Sequence, residues 1–178
     1  KRLLKKCEHR GIPTMVKDIQ VVADRLWVSD TQESVHLVKY RSEDNAFTIV
    51  ADDSLPRYVT ATCVLDYDSV AVGDKFGNVA VLRLPAETSR RIDADPSGGK
   101  AMEGTAWLNA APNKLDVVSC IHVGDVVTDL RRAVLQPGGT ESLVYGTVSG
   151  GIGALTPFAG REEADFFQYL EMHMRTHL

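Results

Sequence analysis

Apolar and polar positions alternate in short stretches along the chain, and three of these stretches follow one template. Each has an apolar run, a small residue, a polar side chain, a short turn rich in Gly, Asn, Ser or Glu, and a second apolar run. The three copies cover residues 26–38, 70–82 and 144–155. Short apolar runs on either side of such a turn are typical of β-hairpins. The sequence therefore predicts three hairpins built on one plan.

The turns of these hairpins contain the residues that tight turns need. Gly77-Asn78 and Gly150-Gly151 can supply the positive φ of a hairpin turn. A polar side chain before each turn can accept hydrogen bonds from the turn amides, and these residues are Asp30, Asp74 and Thr147.

Additional strands surround each hairpin and complete a larger repeat. The pattern predicts strands at 19–22, 59–65 and 126–134, each preceding a hairpin, and at 47–51 after the first hairpin. Four strands per unit is the composition of a propeller blade, and the 44 residues from Asp30 to Asp74 match one blade repeat. The predicted fold is all-β, a partial WD-repeat-like β-propeller of about three four-stranded blades, followed by a C-terminal α-helix.

The second interval of the repeat is longer and indicates an insertion. Thr147 lies 73 residues after Asp74, which is one blade repeat plus about 29 residues. We expect 86–113 to be a surface insertion loop with a helical turn around 101–108. The blades are predicted over 1–158, and 159–178 is predicted to start a helical C-terminal domain. Apolar residues recur there at helical spacing, and acidic residues occupy the first turn.

Three blades are too few to close a propeller, since closed forms have about four to eight. We expect the chain to be a piece of a longer polypeptide that forms a seven-bladed propeller, with the residues before Ile19 as the outer strand of a preceding blade. Closure by oligomerisation is the alternative. An isolated fragment is expected to be poorly soluble or oligomeric, because it exposes strand edges and apolar blade faces.

Charge and hydropathy narrow the class of protein. The formal net charge is −4, yet the first ten residues are basic. They could form a nuclear localisation patch or a strand with solvated charges. Elsewhere Lys and Arg are interleaved with Asp and Glu, so little direct nucleic-acid contact is expected. No apolar run approaches the roughly 20 residues of a membrane span, and we expect a soluble intracellular protein without membrane contact. Cys7, Cys63 and Cys120 lack any CxxC pair and are expected to be reduced thiols.

Two groups of residues resemble ligand sites but have simpler roles. His173 and His177 lie four apart on the predicted helix, at metal-ligand spacing, yet no third ligand is evident. Gly150, Gly151 and Gly153 resemble a phosphate loop, but such a loop opens a helix and these glycines lie between two strands. We interpret the histidines as solvated or interface residues and the glycines as turn residues.

Acidic residues likewise favour a structural interpretation. The pairs Asp66/Asp68 and Asp93/Asp95 could bind a divalent cation, but loop and turn roles predict the same residues. Asp74 could act as a general base, but Asp30 occupies the same place in another blade, and this repetition indicates a structural role. No Ser or Cys lies in a nucleophile elbow. We predict no enzymatic activity, no catalytic, cofactor-binding or metal-binding residue, and no small-molecule substrate.

Several segments, taken together and in order, resemble one known family. They are 66–78, 141–145, 149–153 and 165–168, with further likeness at 3–8, 29–34, 51–53 and 171–173. The family comprises the large β-propeller subunits of the splicing factor 3b complex. The wider superfamily includes the large subunit of the cleavage and polyadenylation specificity factor and the damage-specific DNA-binding protein. Residues 12–15 and 88–92 follow no family pattern.

The resemblance implies a nuclear, non-enzymatic scaffold. It implies three propellers and a helical C-terminal domain, with this chain supplying the last blades of the third propeller and the first C-terminal helix. The implied partners are a HEAT-repeat subunit and a small helical subunit of the particle that recognises the intron branch site. Alternatives are an adaptor of a cullin-type ubiquitin ligase, a component of the mRNA 3′-end cleavage and polyadenylation machinery, and a ligand-binding or catalytic propeller.

Overall fold

The three hairpins, the strands predicted beside them and the C-terminal helix follow the predicted order, and one helix and one strand that the sequence did not predict lie between the second and third hairpins. A computed structural model describes residues 2–95 and 111–176. The strands are β1 (Val16–Val22), β2 (Arg25–Asp30), β3 (Val35–Arg41), β4 (Ala46–Asp53), β5 (Val59–Val64), β6 (Ser69–Asp74), β7 (Asn78–Arg83), β8 (Asn113–His122), β9 (Val127–Val134), β10 (Glu141–Thr147) and β11 (Ile152–Leu155). The helices are α1 (Ala86–Ala94) and α2 (Arg161–Thr176). The predicted partial propeller with a C-terminal helix is confirmed.

The strands form three antiparallel groups, which we name the first, second and third blades. Strands β1–β4 form the first blade, β5–β8 the second and β9–β11 the third. A short parallel pairing of Ala51–Asp53 in β4 with Asn113–Leu115 in β8 joins the first two blades into one eight-stranded sheet. Within the described residues the third blade has three strands rather than the predicted four, because the chain after β11 reaches Pro157 and then forms α2.

The apolar side chains collect between neighbouring blades. In β6, Val70 and Val72 point towards the first blade, whereas Ala71 and Gly73 point towards the third. This follows from the two-residue period of a strand, which gives the central blade two buried faces. The first seam, between the first and second blades, has the core Trp27, Val35, Leu37, Val50, Ala51, Val59, Val70, Val72, Ala80, Leu82, Leu84, Ile92 and Leu115. The second seam, between the second and third blades, has the core Ala61, Cys63, Ala71, Val79, Val127, Leu130 and Leu143.

The start of the insertion is a helix rather than the predicted irregular loop. Helix α1 follows Pro85 and buries Ser89 and Ile92, and Ile92 belongs to the core of the first seam. With one buried apolar side chain in nine residues, the helix has no apolar repeat that a sequence pattern would reveal. The helical turn predicted at 101–108 lies outside the described residues.

The strand predicted before Ile19 as part of a preceding blade is absent. Residues 2–15 have no helix or strand, and β1 itself begins at Val16. A strand needs a hydrogen-bonding neighbour, and among the described strands β1 pairs with β2 and with no other. The segment runs beside the first blade, with Lys6 Nζ 5.6 Å from the centroid of the Tyr40 ring.

Candidate interaction surface

A fully buried arginine joins the first blade, the second blade and α1. Arg25 in β2 has no exposed side-chain surface. Its guanidinium donates to Asp68 Oδ1 at 2.5 Å, to Ser89 Oγ at 3.0 Å and to Asp93 Oδ1 at 2.9 Å. Its Cζ atom lies 3.9 Å from the centroid of the Tyr67 ring. Because a buried cation is costly unless it is paired, these contacts hold α1 in one position. We call this group the Arg25 clamp.

Further charged groups surround the clamp. Lys39 Nζ donates to Asp93 Oδ1 at 3.1 Å and to the Ile92 carbonyl at 3.2 Å. Burial acts to raise the pKa of Asp93, but hydrogen bonds from Arg25 and Lys39 outweigh it, so this pKa lies below its ordinary value. Burial raises the pKa of Tyr67 to about 12. Asp93 is therefore ionised and Tyr67 protonated at neutral pH.

Neither of the two acidic pairs considered as cation sites acts as a pair, because one member of each binds Arg25 instead. Asp66 Oδ1 accepts a hydrogen bond from the Asp68 amide at 2.8 Å, which is the predicted turn role. Asp68 and Asp93 both bind Arg25, whereas Asp95 caps the C-terminus of α1. The sequence analysis missed Arg25. Its position at the start of an apolar strand was the one feature that could have marked it.

The polar residues before the first and third hairpin turns bind backbone amides as predicted. Asp30 Oδ1 accepts from the Gln32 and Glu33 amides at 2.9 and 2.6 Å. Its Oδ2 atom lies 3.0 Å from His36 Nε2. In the third blade, Thr147 Oγ1 accepts from the Gly151 amide at 3.1 Å.

The second hairpin turn presents a lysine between two exposed aromatic rings. Asp74 Oδ1 accepts from the Phe76 and Asn78 amides at 2.8 and 3.0 Å. Lys75 donates its amide to the Tyr58 carbonyl at 3.1 Å. Its Nζ atom lies 4.0 Å from the centroid of the Tyr58 ring and 5.1 Å from that of Phe76. Tyr58 is 39% exposed and Phe76 is 63% exposed. We call these three residues the Tyr58–Lys75–Phe76 platform.

An open cleft of about 360 Å³ lies beside the turn of the third blade. Asp125 accepts from the Val126 and Ser149 amides at its edge. Hydrogen bonds from Thr147 and Ser149 hold the pKa of Asp125 below its ordinary value. Gly150, Gly151 and Gly153, whose spacing resembles a phosphate loop, lie in this hairpin as turn and strand residues. Gly153 lies against the Tyr145 ring, so a larger side chain at this position would have to displace that ring.

Helix α2 extends from the blades with no buried residue. Phe167 contacts Phe158 with ring centroids 5.5 Å apart. Most other apolar side chains of α2 are exposed. His173 lies on α2, whereas His177 lies outside the described residues. Over 2–95 and 111–176, no three His, Cys, Asp or Glu residues are placed to hold a metal ion.

The three cysteines are free thiols in different environments. Cys63 is buried in the second seam, Cys7 is half-buried and Cys120 is exposed. Burial raises the pKa of the Cys63 thiol. In the part of the chain that the structure describes, no helix is long and apolar enough to cross a membrane.

Comparisons with known proteins give one consistent result. A protein-family profile described as the CPSF A subunit region matches residues 1–178. The chain is 49% identical over 176 residues to splicing factor 3B subunit 3 of Danio rerio, covering 99% of this chain. It is 51% identical over 175 residues to spliceosome-associated protein 130 A of Arabidopsis thaliana, and 47% identical over 175 residues to splicing factor 3B subunit 3 of Drosophila melanogaster, each covering 98% of this chain. The chain spans 14% of the length of each of these relatives.

Proposed function

The chain belongs to the CPSF A subunit region family, and on that premise we propose that it is part of a non-enzymatic scaffold subunit of the spliceosomal particle that recognises the intron branch site. The observation that carries this proposal is the identity of about half the residues, over nearly the whole chain, with proteins named as splicing factor 3B subunit 3 and spliceosome-associated protein 130. Identity of this extent supports a shared role in pre-mRNA splicing.

The arrangement of polar residues supports a scaffold rather than an enzyme. Asp30, Asp74 and Thr147 hold hairpin turns, and Asp68 and Asp93 hold a buried arginine. These side chains stabilise the blades and the seams between them. The chemically distinctive surfaces are the Tyr58–Lys75–Phe76 platform and the exposed apolar side of α2, and such aromatic and apolar groups are suited to protein contacts.

The proposal extends to domains and partners. Residues 1–158 supply blades of a seven-bladed propeller, with 86–113 as an insertion between strands, and the rest of a longer polypeptide supplies the remaining blades. Residues 159–178 begin a helical C-terminal domain. The whole subunit works in the nucleus, where it holds a HEAT-repeat subunit and a small helical subunit of the splicing factor 3b complex.

Affinity purification of the full-length protein from nuclear extract tests this function. We expect it to co-purify with the HEAT-repeat and small helical subunits and with other proteins of the branch-site particle. Immunodepletion of the protein should stop splicing of a reporter pre-mRNA in that extract, and addition of the purified complex should restore it. Co-purification with a cullin, or with the cleavage and polyadenylation machinery in place of the splicing particle, would contradict the proposal.

A further inference from the structure

We propose that the Tyr58–Lys75–Phe76 platform is a docking site for an acidic, apolar segment of a partner protein. This inference rests on the proposed scaffold function and assigns one of its contacts to three residues on one turn and one loop of the second blade.

The three hairpin turns serve as internal controls for one another. The second blade has Asp74, Lys75 and Phe76 where the first has Asp30, Thr31 and Gln32 and the third has Thr147, Val148 and Ser149. Asp30 and Asp74 each accept hydrogen bonds from two turn amides, and Thr147 accepts one from the Gly151 amide. Each turn is thus closed by the polar residue although the next two residues differ among the blades, so closing the turn does not require a lysine followed by an exposed phenylalanine.

The backbone of the turn that carries Lys75 and Phe76 is fixed by its surroundings although the platform is exposed. Gly77 has a φ of +84°, and a Cβ at this position would lie 2.7 Å from the Asp125 amide nitrogen, so the turn sits directly against the next loop. Asn78 donates its side-chain amide to Asp74 Oδ2 at 2.8 Å and lies 2.9 Å from His122 Nδ1. An aromatic side chain on such a backbone has only two torsion angles to restrict when a partner covers it, which favours binding.

Charge indicates the chemistry of the partner. Among the described residues Lys75 forms no ion pair, and its ammonium group lies over the Tyr58 ring. A carboxylate of a partner can pair with this ammonium while an apolar side chain covers Phe76. A nucleic acid is a poor fit, because phosphate-backbone binding uses several cations and the neighbouring loop contributes Asp125 instead.

Site-specific photo-crosslinking tests the location of this contact. The full-length protein would carry p-benzoylphenylalanine in place of Phe76, be assembled into the splicing particle and be irradiated. The cross-linked peptide would then be sequenced by mass spectrometry. We expect one protein segment with Asp or Glu within a few residues of an apolar attachment point. A cross-link to RNA, no cross-link at all, or a segment without acidic residues would overturn the proposal.

The matched control places the same photo-crosslinker at Gln32, the position of the first blade that corresponds to Phe76. Gln32 is exposed on a turn of the same construction, so it controls for non-specific capture by an exposed hairpin. We expect the segment captured at position 76 to be absent at position 32. Equal capture of that segment from both positions would overturn the proposal.

Charge reversal tests the role of Lys75 once the captured segment is known. Lys75→Glu should lower the yield of cross-linking from position 76 to that segment by at least about tenfold. Replacing the acidic residue of the segment with Lys should restore it. An unchanged yield in Lys75→Glu, or no restoration by the reversed pair, would show that charge does not select the partner and would overturn the proposal.

This experiment can fail separately from the proposed function. If the unmodified protein co-purifies with the splicing particle but position 76 captures no acidic segment, the docking site is wrong and the scaffold function stands. If the unmodified protein does not enter the particle, the scaffold function itself is wrong.

Discussion

The two seams of this chain are built from successive copies of one repeat, yet they are held by different forces. The first seam combines large apolar side chains such as Trp27 and Leu82 with the Arg25 clamp, α1 and a parallel strand pairing. The second seam has Ala61, Ala71 and Gly73 on its central blade, so that the blades approach closely. The first seam should therefore be sensitive to loss of charge, and the second to added volume.

The contrast originates in the alternation of a single strand. The side chains of β6 that face the first blade are Val70 and Val72, and those that face the third are Ala71 and Gly73. Hydrogen bonds also cross each seam near the inner strands. Gln20 and Thr62 link β1 to β5, and Thr60 donates to the Val127 carbonyl. Strand β6 thus presents larger side chains to the first blade and smaller ones to the third.

Removal of the buried charge should break the first seam and give the largest effect. In Arg25→Met, Asp68 and Asp93 lose the buried arginine while Asp93 keeps its contact with Lys39, and we expect the local free energy of opening of β2 and α1 to fall by about 3 kcal/mol. This loss lies at the lower end of the range usual for breaking a buried ion pair, because Asp68 and Asp93 keep 30% and 40% of their side-chain surface exposed. Hydrogen exchange of the full-length protein, followed by mass spectrometry of 16–41 and 86–94, measures this change.

The matched control for this substitution is Arg131→Met, which removes an arginine whose side chain is 78% exposed. Its ion pair with Asp129 is screened by solvent, so its loss should leave the protection of the first seam almost unchanged. Equal loss of protection in the two variants would show that the Arg25 clamp does not stabilise the first seam.

Added volume should break the second seam with a smaller effect. A Cβ on Gly73 would lie 2.6 Å from Val127 Cγ1, so Gly73→Ala should destabilise this seam by about 1 to 2 kcal/mol. Alkylation of the buried Cys63 thiol in the full-length protein reports the opening of the seam, and its rate should rise by about tenfold. Gly146→Ala is the control, because its Cβ would meet Thr128 Oγ1 at an ordinary 3.7 Å. Unchanged Cys63 labelling in Gly73→Ala would contradict this account.

Acidification should destabilise the first seam more than the second, and this is the smallest of the expected effects. The pKa values of Asp18 and Asp93, both at the first seam, lie below the ordinary value because hydrogen bonds to each carboxylate outweigh its burial. Their charged forms therefore stabilise the folded state above about pH 4, and this contribution is lost as the pH falls through the lowered values. For Asp93, which is 40% exposed, we expect less than about 1 kcal/mol.

Hydrogen exchange between pH 3 and 7, with labelling times scaled for the chemical exchange rate, measures this effect. Protection of 86–94 should fall before that of 127–134, since the Asp93 carboxylate on α1 pairs with the fully buried Arg25, whereas the buried core residues of the second seam carry no carboxylate. Simultaneous loss of protection at the two seams would contradict the assignment of Asp93 to the stability of the first.

The repeat was predictable from the sequence because each part of it is encoded locally. Period-two alternation located the hairpins, and the polar residues before the turns indicated how the turns close. Asp30 and Asp74 bind turn amides as expected. Such features depend on residues only a few positions apart, so a linear pattern contains them.

Long-range contacts were not predictable in the same way. Arg25 binds Asp68 and Asp93, which lie 43 and 68 residues further along the chain. Helix α1 is stabilised by docking on that arginine and by Ile92 rather than by a periodic apolar face. The platform was likewise missed, since the exposure of Phe76 and its proximity to Tyr58 become evident only in three dimensions.

The two ends of the insertion are fastened to one another as well as to the blades. Arg91 in α1 donates to Asn113 Oδ1 at 2.7 Å, and Asn113 donates its side-chain amide to the Val50 carbonyl at 2.8 Å. We therefore expect the pairing of β7 with β8 to tolerate a change in chain length after Asp95 and before Ala111. For protein engineering, we expect an epitope or a fluorescent reporter to be best grafted between these two fixed points of the chain.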